Sequence, residues 1–207
     1  TRVFASYENR YTGDRLNDMK AFQITHAGGL DALRPCVIDD PVCPSHGVIV
    51  EMKAWSLNYR DLAMPHGGYI ANDKVKTSPP LIPLSDGAGV VVEVGDSVTR
   101  WAVGDRVMPC FFQDWVDGDL TRAQISTALG GAIDGLLAER VALPEHGLVR
   151  IPNDYSFEQA ATFPCAAVTA WQSLTSANTR PGDTVLLLGT GGVSIFALQL
   201  AKAFGAR

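Results

Sequence analysis

The sequence predicts an α/β chain in two unequal parts, a barrel-like β domain followed by helices and one strand–turn–helix unit. Three observations predict it. Short β-branched runs bounded by Gly, Pro and Asp fill residues 20–150. Near residue 150 the apolar period changes from that of strands to that of helices. An apolar run, 184–188, then leads through Gly189, Thr190, Gly191 and Gly192 into an amphipathic stretch.

In chain order, residues 1–18 are polar and charged without a period, and Met19 looks like a natural start. They are expected to be an extension outside the fold, with an ordinary N-terminal strand as the open alternative. The β domain is assigned to 19–150 and the helical part to 151–207. Strands are expected at 48–55, 89–95, 104–109 and 138–144, where valine-rich runs sit between turn residues. The stretch 113–137 holds charged residues and Gly130-Gly131, and is read as a loop over the barrel. Ser156 and Gln159 have capping-box spacing, predicting a helix over 157–163 that ends at Pro164. A second helix is expected at 166–176, then a turn at 180–183. In the last helix Val193, Phe196, Ala197, Leu200, Ala201 and Phe204 form one apolar stripe, predicted to face a sheet, and Gly205 closes it.

Composition bounds the function. The chain has 207 residues, 46% hydrophobic and 19% charged, enough for a sizeable core. A net charge of −5 without a Lys/Arg run argues against nucleic acid and anionic membrane surfaces. Residues 159–179 and 184–201 are uncharged, but Pro164 breaks the first and three glycines the second, so both read as buried elements. No secretory leader is expected. Cys36, Cys43, Cys110 and Cys165 form no CxxC pair, which suits a reduced, cytoplasmic compartment.

The glycine turn carries the chemistry. Gly189 permits the sharp turn out of the strand, and Gly191 removes a side chain where a pyrophosphate would approach. Gly192 and Val193 open a helix whose free amides and positive dipole end suit an anion. Ser194 stands where a small residue allows close helix–strand packing. The alternative is a structural turn that binds nothing.

Read together, 56–61 (SLNYRD), 83–91 (PLSDGAGVV), Val94-Gly95, 104–107 (GDRV), 161–171 (ATFPCAAVTAW) and the glycine turn resemble a medium-chain dehydrogenase/reductase over about 19–207. The resemblance implies a GroES-like β-barrel domain, followed here by the first strand and helix of an incomplete Rossmann domain. It implies hydride transfer between NAD(P)H and alcohols, aldehydes, quinones, ketones or enones in an interdomain cleft, by a dimer or tetramer. Zinc members hold their catalytic metal on Cys, His and a later Cys. The matching positions here are Asn58, Ser85 and Cys165, and a lone thiolate does not close a tetrahedral site. The structural-zinc lobe is missing as well. No metal is therefore expected, and the chain is similar to the zinc-independent quinone oxidoreductase branch. By that resemblance Asn58, Tyr59, Tyr69 and Ser85 are the candidate catalytic or pocket residues, with either tyrosine a possible proton donor. Thr169, Gly189, Gly191, Gly192 and Val193 are the candidate cofactor contacts. Asp61 and Asp86 read as structural, Cys165 as a small buried hydrophobe, and His66 as a weak base candidate.

The chain stops one helix into the nucleotide-binding unit, so weak cofactor binding, impaired turnover and self-association through exposed apolar surface are expected. Two other readings stay open. One is a hydrolase using Ser85, although the chain has no Gly-x-Ser-x-Gly and no Ser-x-x-Lys. The other is a non-catalytic binding or assembly module.

Overall fold

The structure, a computed structural model, describes residues 18–67 and 80–207. Tyr69 and the first 17 residues lie outside the described residues. Among the described residues, seven strands form two sheets. β1 (Asp18–Ile24) and β2 (Leu33–Asp39) make an antiparallel hairpin. β3 (Gly47–Ser56), β4 (Asp86–Val94), β5 (Arg106–Pro109), β6 (Arg140–Pro144) and β7 (Leu148–Arg150) form an antiparallel sheet in the order β6-β3-β4-β5-β7. Backbone bonds stitch the hairpin to the larger sheet. Phe22 N donates to Leu137 O at 3.0 Å, and Ile24 and Leu81 exchange two bonds of 2.8 and 3.1 Å. This is the barrel-like domain that the alternating valine runs predict.

β3 and β4 are the long central strands, and their first halves are buried on both faces. The inner face packs Val48, Val50, Met52, Val91, Val107 and Leu143 around Trp101. Trp101 is held by its indole N–H, which donates to Glu145 O at 2.7 Å. Ala54 and Ala88, on the other face, pack against Ala160 and Ala161. Those small residues let α3 (Phe157–Ala160) lie directly on the sheet. The stretch 113–137 is more than a cover. It contains α2 (Arg122–Ile125) and sends Leu129 and Leu136 into the core.

The helical part departs from the sequence expectation in three places. The capping box forms: Gln159 N donates to Ser156 Oγ at 3.2 Å and Ser156 N to Gln159 Oε1 at 2.9 Å. Yet α3 stops at Ala160, and Pro164 does not end a helix. It sits in the first turn of a π-helical segment, Phe163–Ala167, which runs straight into α4 (Val168–Ser176). Proline is tolerated there because a first-turn N–H needs no intrahelical partner. Second, 184–188 is extended but is not a regular strand, because it lacks a ladder partner along its length. Its one rung is parallel in kind, with Val185 N donating to Arg207 O and Arg207 N to Asp183 O, both at 2.7 Å. Third, the apolar stripe of α5 (Gly192–Ala203) faces helices rather than a sheet. Phe196 meets Phe163 edge-on at 5.7 Å, and Phe204 meets Trp171 at 5.5 Å. Gly205 closes α5 at φ 78°, as the sequence predicts. Among the described residues no helix is long and apolar enough to cross a membrane.

One close backbone approach fixes the entry to β4. Leu84 adopts φ 73°, a region uncommon for a side-chain-bearing residue, just before Ser85 and Asp86. Leu136 N holds Leu84 O at 2.9 Å, and a Cβ on Gly135 would lie 2.1 Å from the same oxygen. Gly135→Ala is therefore expected to cost about 1–3 kcal/mol of unfolding free energy, as overpacking does. Urea titration of the variant against wild type measures it, and an unchanged midpoint would show that this contact yields freely.

Candidate active site

Asn58 ends β3 and begins α1 (Tyr59–Ala63) in an extended conformation, as an N-cap residue does. Asp61, three residues on, accepts from Asn58 N–H at 2.7 Å and donates its own N–H to Asn58 O at 3.0 Å. This local reciprocity turns the chain and buries Asp61 beneath it. The next charged residue, Arg60, points its guanidinium over the Phe111 ring, 4.4 Å from the centroid, and donates to Leu129 O.

Asp86 is the centre of the cluster, at 0% exposure. Ser85 Oγ donates to its Oδ1 at 3.0 Å, and Cys165 N–H to its Oδ2 at 3.1 Å. Burial pushes the Asp86 carboxyl above its ordinary range. The neighbouring Asn58 amide, the Ser85 hydroxyl and the Cys165 N–H pull it back, and Asp61 adds to the rise. Asn58 Nδ2 stands close enough to act on Asp86 electrostatically but meets no direct hydrogen-bond geometry. Like Asp61 Oδ1, it is a buried polar atom without a hydrogen-bond partner among the described residues. Burial raises Asp61 too, offset by the Asn58 N–H and by Arg60. The Cys165 thiol is pushed up to about 11, first by burial and then by the Asp86 charge, against the smaller pull of Arg60 and the Thr169 hydroxyl. It is a protonated, unreactive thiol at neutral pH.

The structure thus gathers Asn58, Ser85 and Cys165 around Asp86, with Thr169 beside Cys165. Tyr59 is 77% exposed and turned outward, and His66 stands exposed beside the turn at Gly29. The sequence reading missed the 79-residue link from Asp86 to Cys165, and the stacking of Arg60 on Phe111. No local spacing signals either contact. Ser85 is 1% exposed and donates its proton to Asp86, an arrangement that lends no support to a hydrolase.

Two cavities flank α4. One, about 740 Å³, lies between the 108–115 segment and α4, and Cys165 and Thr169 sit on its wall. The other, about 530 Å³, is bounded by 183–188, Val193, Ser194 and the opposite side of α4. The glycine turn opens onto solvent beside the second. Gly189 has φ 76°, and a Cβ on Gly189 or Gly191 would meet no atom within 4 Å. Gly191 is the N-cap of α5, with no side chain bonding the first-turn amides. A pyrophosphate fits this cradle of free amides. The close-packing position is Gly192, not Ser194: a Cβ there would lie 3.3 Å from Ala166 Cβ, whereas Ser194 Oγ turns back to Leu188 O at 2.8 Å. Zinc does not fit the other site. The donors at the three ligand positions are an amide, a hydroxyl committed to Asp86 and a single thiol, and no metal-ligating group of three His, Cys, Asp or Glu occurs among the described residues.

Residues 44–153 match the alcohol dehydrogenase GroES-like domain, more than half of the chain. The chain belongs to that family and, with the partial Rossmann-type unit behind it, to the medium-chain dehydrogenase/reductase superfamily. It is 45% identical over 182 residues to a zinc-type alcohol dehydrogenase-like protein of Schizosaccharomyces pombe, covering 86% of this chain and 51% of the relative. It is 34% identical over 179 residues to an acryloyl-coenzyme A reductase of Metallosphaera sedula, covering 82% and 52%. Among solved structures it resembles a putative alcohol dehydrogenase of Sinorhizobium meliloti (TM-score 0.82, 39% identity, 92% of this chain and 56% of that one). It also resembles a quinone oxidoreductase of Coxiella burnetii (TM-score 0.77, 29% identity, 92% and 55%). The chain spans about half the length of the curated relatives it matches.

The raised carboxyl of Asp86 gives a pH signature. A folded state that binds the proton more tightly than the unfolded chain loses stability as pH rises from the ordinary value of 3.8 through the raised one, and bears the full cost above it. Asp86→Asn cannot ionise. Its unfolding free energy relative to wild type should climb across that window, even if it is lower throughout through loss of the Cys165 acceptor. Urea midpoints from pH 3.5 to pH 7 read the difference, and a flat difference would contradict a raised Asp86.

Proposed function

We propose that this chain supplies the substrate-side domain and the pyrophosphate turn of an NAD(P)H-dependent oxidoreductase that reduces a quinone, enone, aldehyde or ketone without zinc. The observation that carries the reading is the contact of Gly192 with Ala166. It sets the open glycine turn against the π-helical segment that bears Cys165, so a dinucleotide seated on the turn extends toward the Asn58–Asp86–Thr169 cluster. The cofactor supplies the hydride from C4 of its nicotinamide. The chain's residues bind, orient and exclude water. The Asn58 amide, buried against Asp86, is proposed to turn to a carboxamide or substrate oxygen. Thr169 faces the same space from α4. Tyr59 is turned outward, which leaves Tyr69, outside the described residues, as the tyrosine proposed to supply the proton to the reduced oxygen. Gly189, Gly191, Gly192 and Val193 hold the phosphates through backbone amides. The chemistry of the donor set at the zinc positions supports zinc independence: removing trace metal by chelation should leave reductase activity unchanged.

Dinucleotide binding is the first test. NADH and NADPH titrations followed by cofactor fluorescence should show saturable binding. Gly191→Asp, which places a carboxylate against the pyrophosphate, should weaken it at least about tenfold, or 1.4 kcal/mol. Equal binding by the variant would remove the glycine turn from the site.

Leu186 and Leu188 are 83% and 82% exposed on the extended 184–188 segment. They support self-association of this chain through strand pairing. Leu186→Asp with Leu188→Asp should shift sedimentation toward the monomer. An unchanged distribution would place any association elsewhere.

A further inference from the structure

The 740 Å³ cavity has a chemistry more selective than the proposed reaction requires. Its described lining contains no Asp, Glu, Lys, Arg or His. One wall is aromatic. Phe111 and Phe112 meet edge-on at 4.7 Å, Phe112 and Trp115 at 5.8 Å, and Phe163 closes the side next to Cys165. The opposite wall is one face of α4, where Thr169, Gln172, Ser173 and Ser176 fall at i, i+3, i+4 and i+7. Those groups are neutral and hydrogen-bonding. The nearest guanidinium groups stand behind the wall and are already engaged: Arg60 lies on Phe111 and donates to Leu129 O, and Arg100 lies over Trp101. Behind Cys165 stand two buried carboxylates, Asp61 and Asp86, against one guanidinium.

We propose that this cavity selects an uncharged planar ring compound of about two fused rings bearing a carbonyl, and rejects anionic substrates such as carboxylates, sulfonates and phosphate-bearing acyl carriers. The proposal rests on the oxidoreductase reading above and names its substrate class. Flat rings gain edge and face contacts from the aromatic wall. A carbonyl oxygen finds neutral donors on α4. An anion brought into the same space loses its hydration and meets no counter-charge on the described lining, which is the costly case for a buried charge. The volume lies within the range of small-molecule sites, roughly 300–1,000 Å³, and leaves room for a nicotinamide beside such a substrate.

The test uses two ligands of the same shape. Acetylnaphthalene is a neutral two-ring ketone that does not alkylate thiols, and its sulfonated counterpart adds only a charge. Each is titrated against the 207-residue chain while tryptophan fluorescence, to which Trp115 on the wall contributes, is followed. The neutral ketone should bind at least about tenfold more tightly than the sulfonate. Gln172 is exposed and bonds only within α4, to Ser176 Oγ. Gln172→Trp should therefore fold and, by filling the cavity, abolish ketone binding. Gln172→Lys should raise sulfonate affinity about tenfold with little change for the ketone. Equal binding of the two ligands by wild type overturns the proposal. So does ketone binding that survives Gln172→Trp, an absence of ketone binding, or a Gln172→Lys variant indifferent to the sulfonate. The dinucleotide titration with Gly191→Asp reports on a different cavity. Cofactor binding without ketone selectivity therefore sinks this proposal alone, and loss of cofactor binding sinks the oxidoreductase reading alone.

Discussion

The buried carboxylate of Asp86 joins the two parts of this chain. A carboxylate at 0% exposure is costly unless its oxygens are satisfied, and here each oxygen accepts one bond. Oδ1 takes the Ser85 hydroxyl and Oδ2 takes the Cys165 N–H. The second bond crosses from the first residue of β4 to the π-helical segment before α4. Backbone amides within a π turn are poorly served by regular helical bonding, so a side-chain acceptor from the barrel fits the need. The barrel and the helical part are thereby held in one register at the place where substrate and cofactor would meet. The strained Leu84 and the close approach of Gly135 deliver Asp86 to that place.

Burial, and after it the charge of the same carboxylate, keeps the Cys165 thiol protonated against the pull of Arg60. Cys165 is thus a neutral part of the cavity wall. Arg60 is consumed in a different duty. Flat on Phe111 and bonded to Leu129 O, it pins the 128–131 turn to α1, which braces both the aromatic wall and the floor under Asp61.

How much of this was legible in the sequence depended on range. Local chemistry read well. The Ser156–Gln159 box and the Gly205 closure rest on contacts within a few residues, and both appear as expected; the valine strands also form, because their composition is unambiguous even though their partners are distant. Readings that needed to know a partner did not hold. Pro164 is a helix stop in isolation but a first-turn residue once the chain ahead of it has already turned. Residues 184–188 have strand composition, but a strand is a relation between two segments, and the single rung to Arg207 supplies only its beginning. The α5 stripe announces burial without saying against what; α4 and Phe163 take the place of a sheet. Family resemblance carried the site further than pattern did. It named Asn58, Ser85 and Thr169 and marked Cys165 as a buried hydrophobe, residues no periodicity connects; Asn58, Ser85 and Cys165 meet at Asp86, and Thr169 lies beside Cys165.

α4 is best understood as a partition. Val168, Thr169 and Gln172 face the aromatic cavity; Ala170, Leu174 and Ala177 face the space beside the glycine turn. A helix that separates two sites also fixes the distance between them, provided its own position is fixed. Asp86 anchors its N-terminal approach through Cys165, and the edge contact of Trp171 with Phe204 anchors its middle to α5. α5 in turn is held at its start by the van der Waals approach of Gly192 to Ala166, two residues before α4 begins. A Cβ at 192 would lie 3.3 Å from the Ala166 Cβ, so a larger side chain there needs the neighbouring segment to give by a few tenths of an ångström. The geometry of hydride transfer is intolerant of such shifts, since reacting atoms must lie within about 3–3.5 Å. The small residues at 166 and 192 let the start of α5 lie close to the segment that leads into α4.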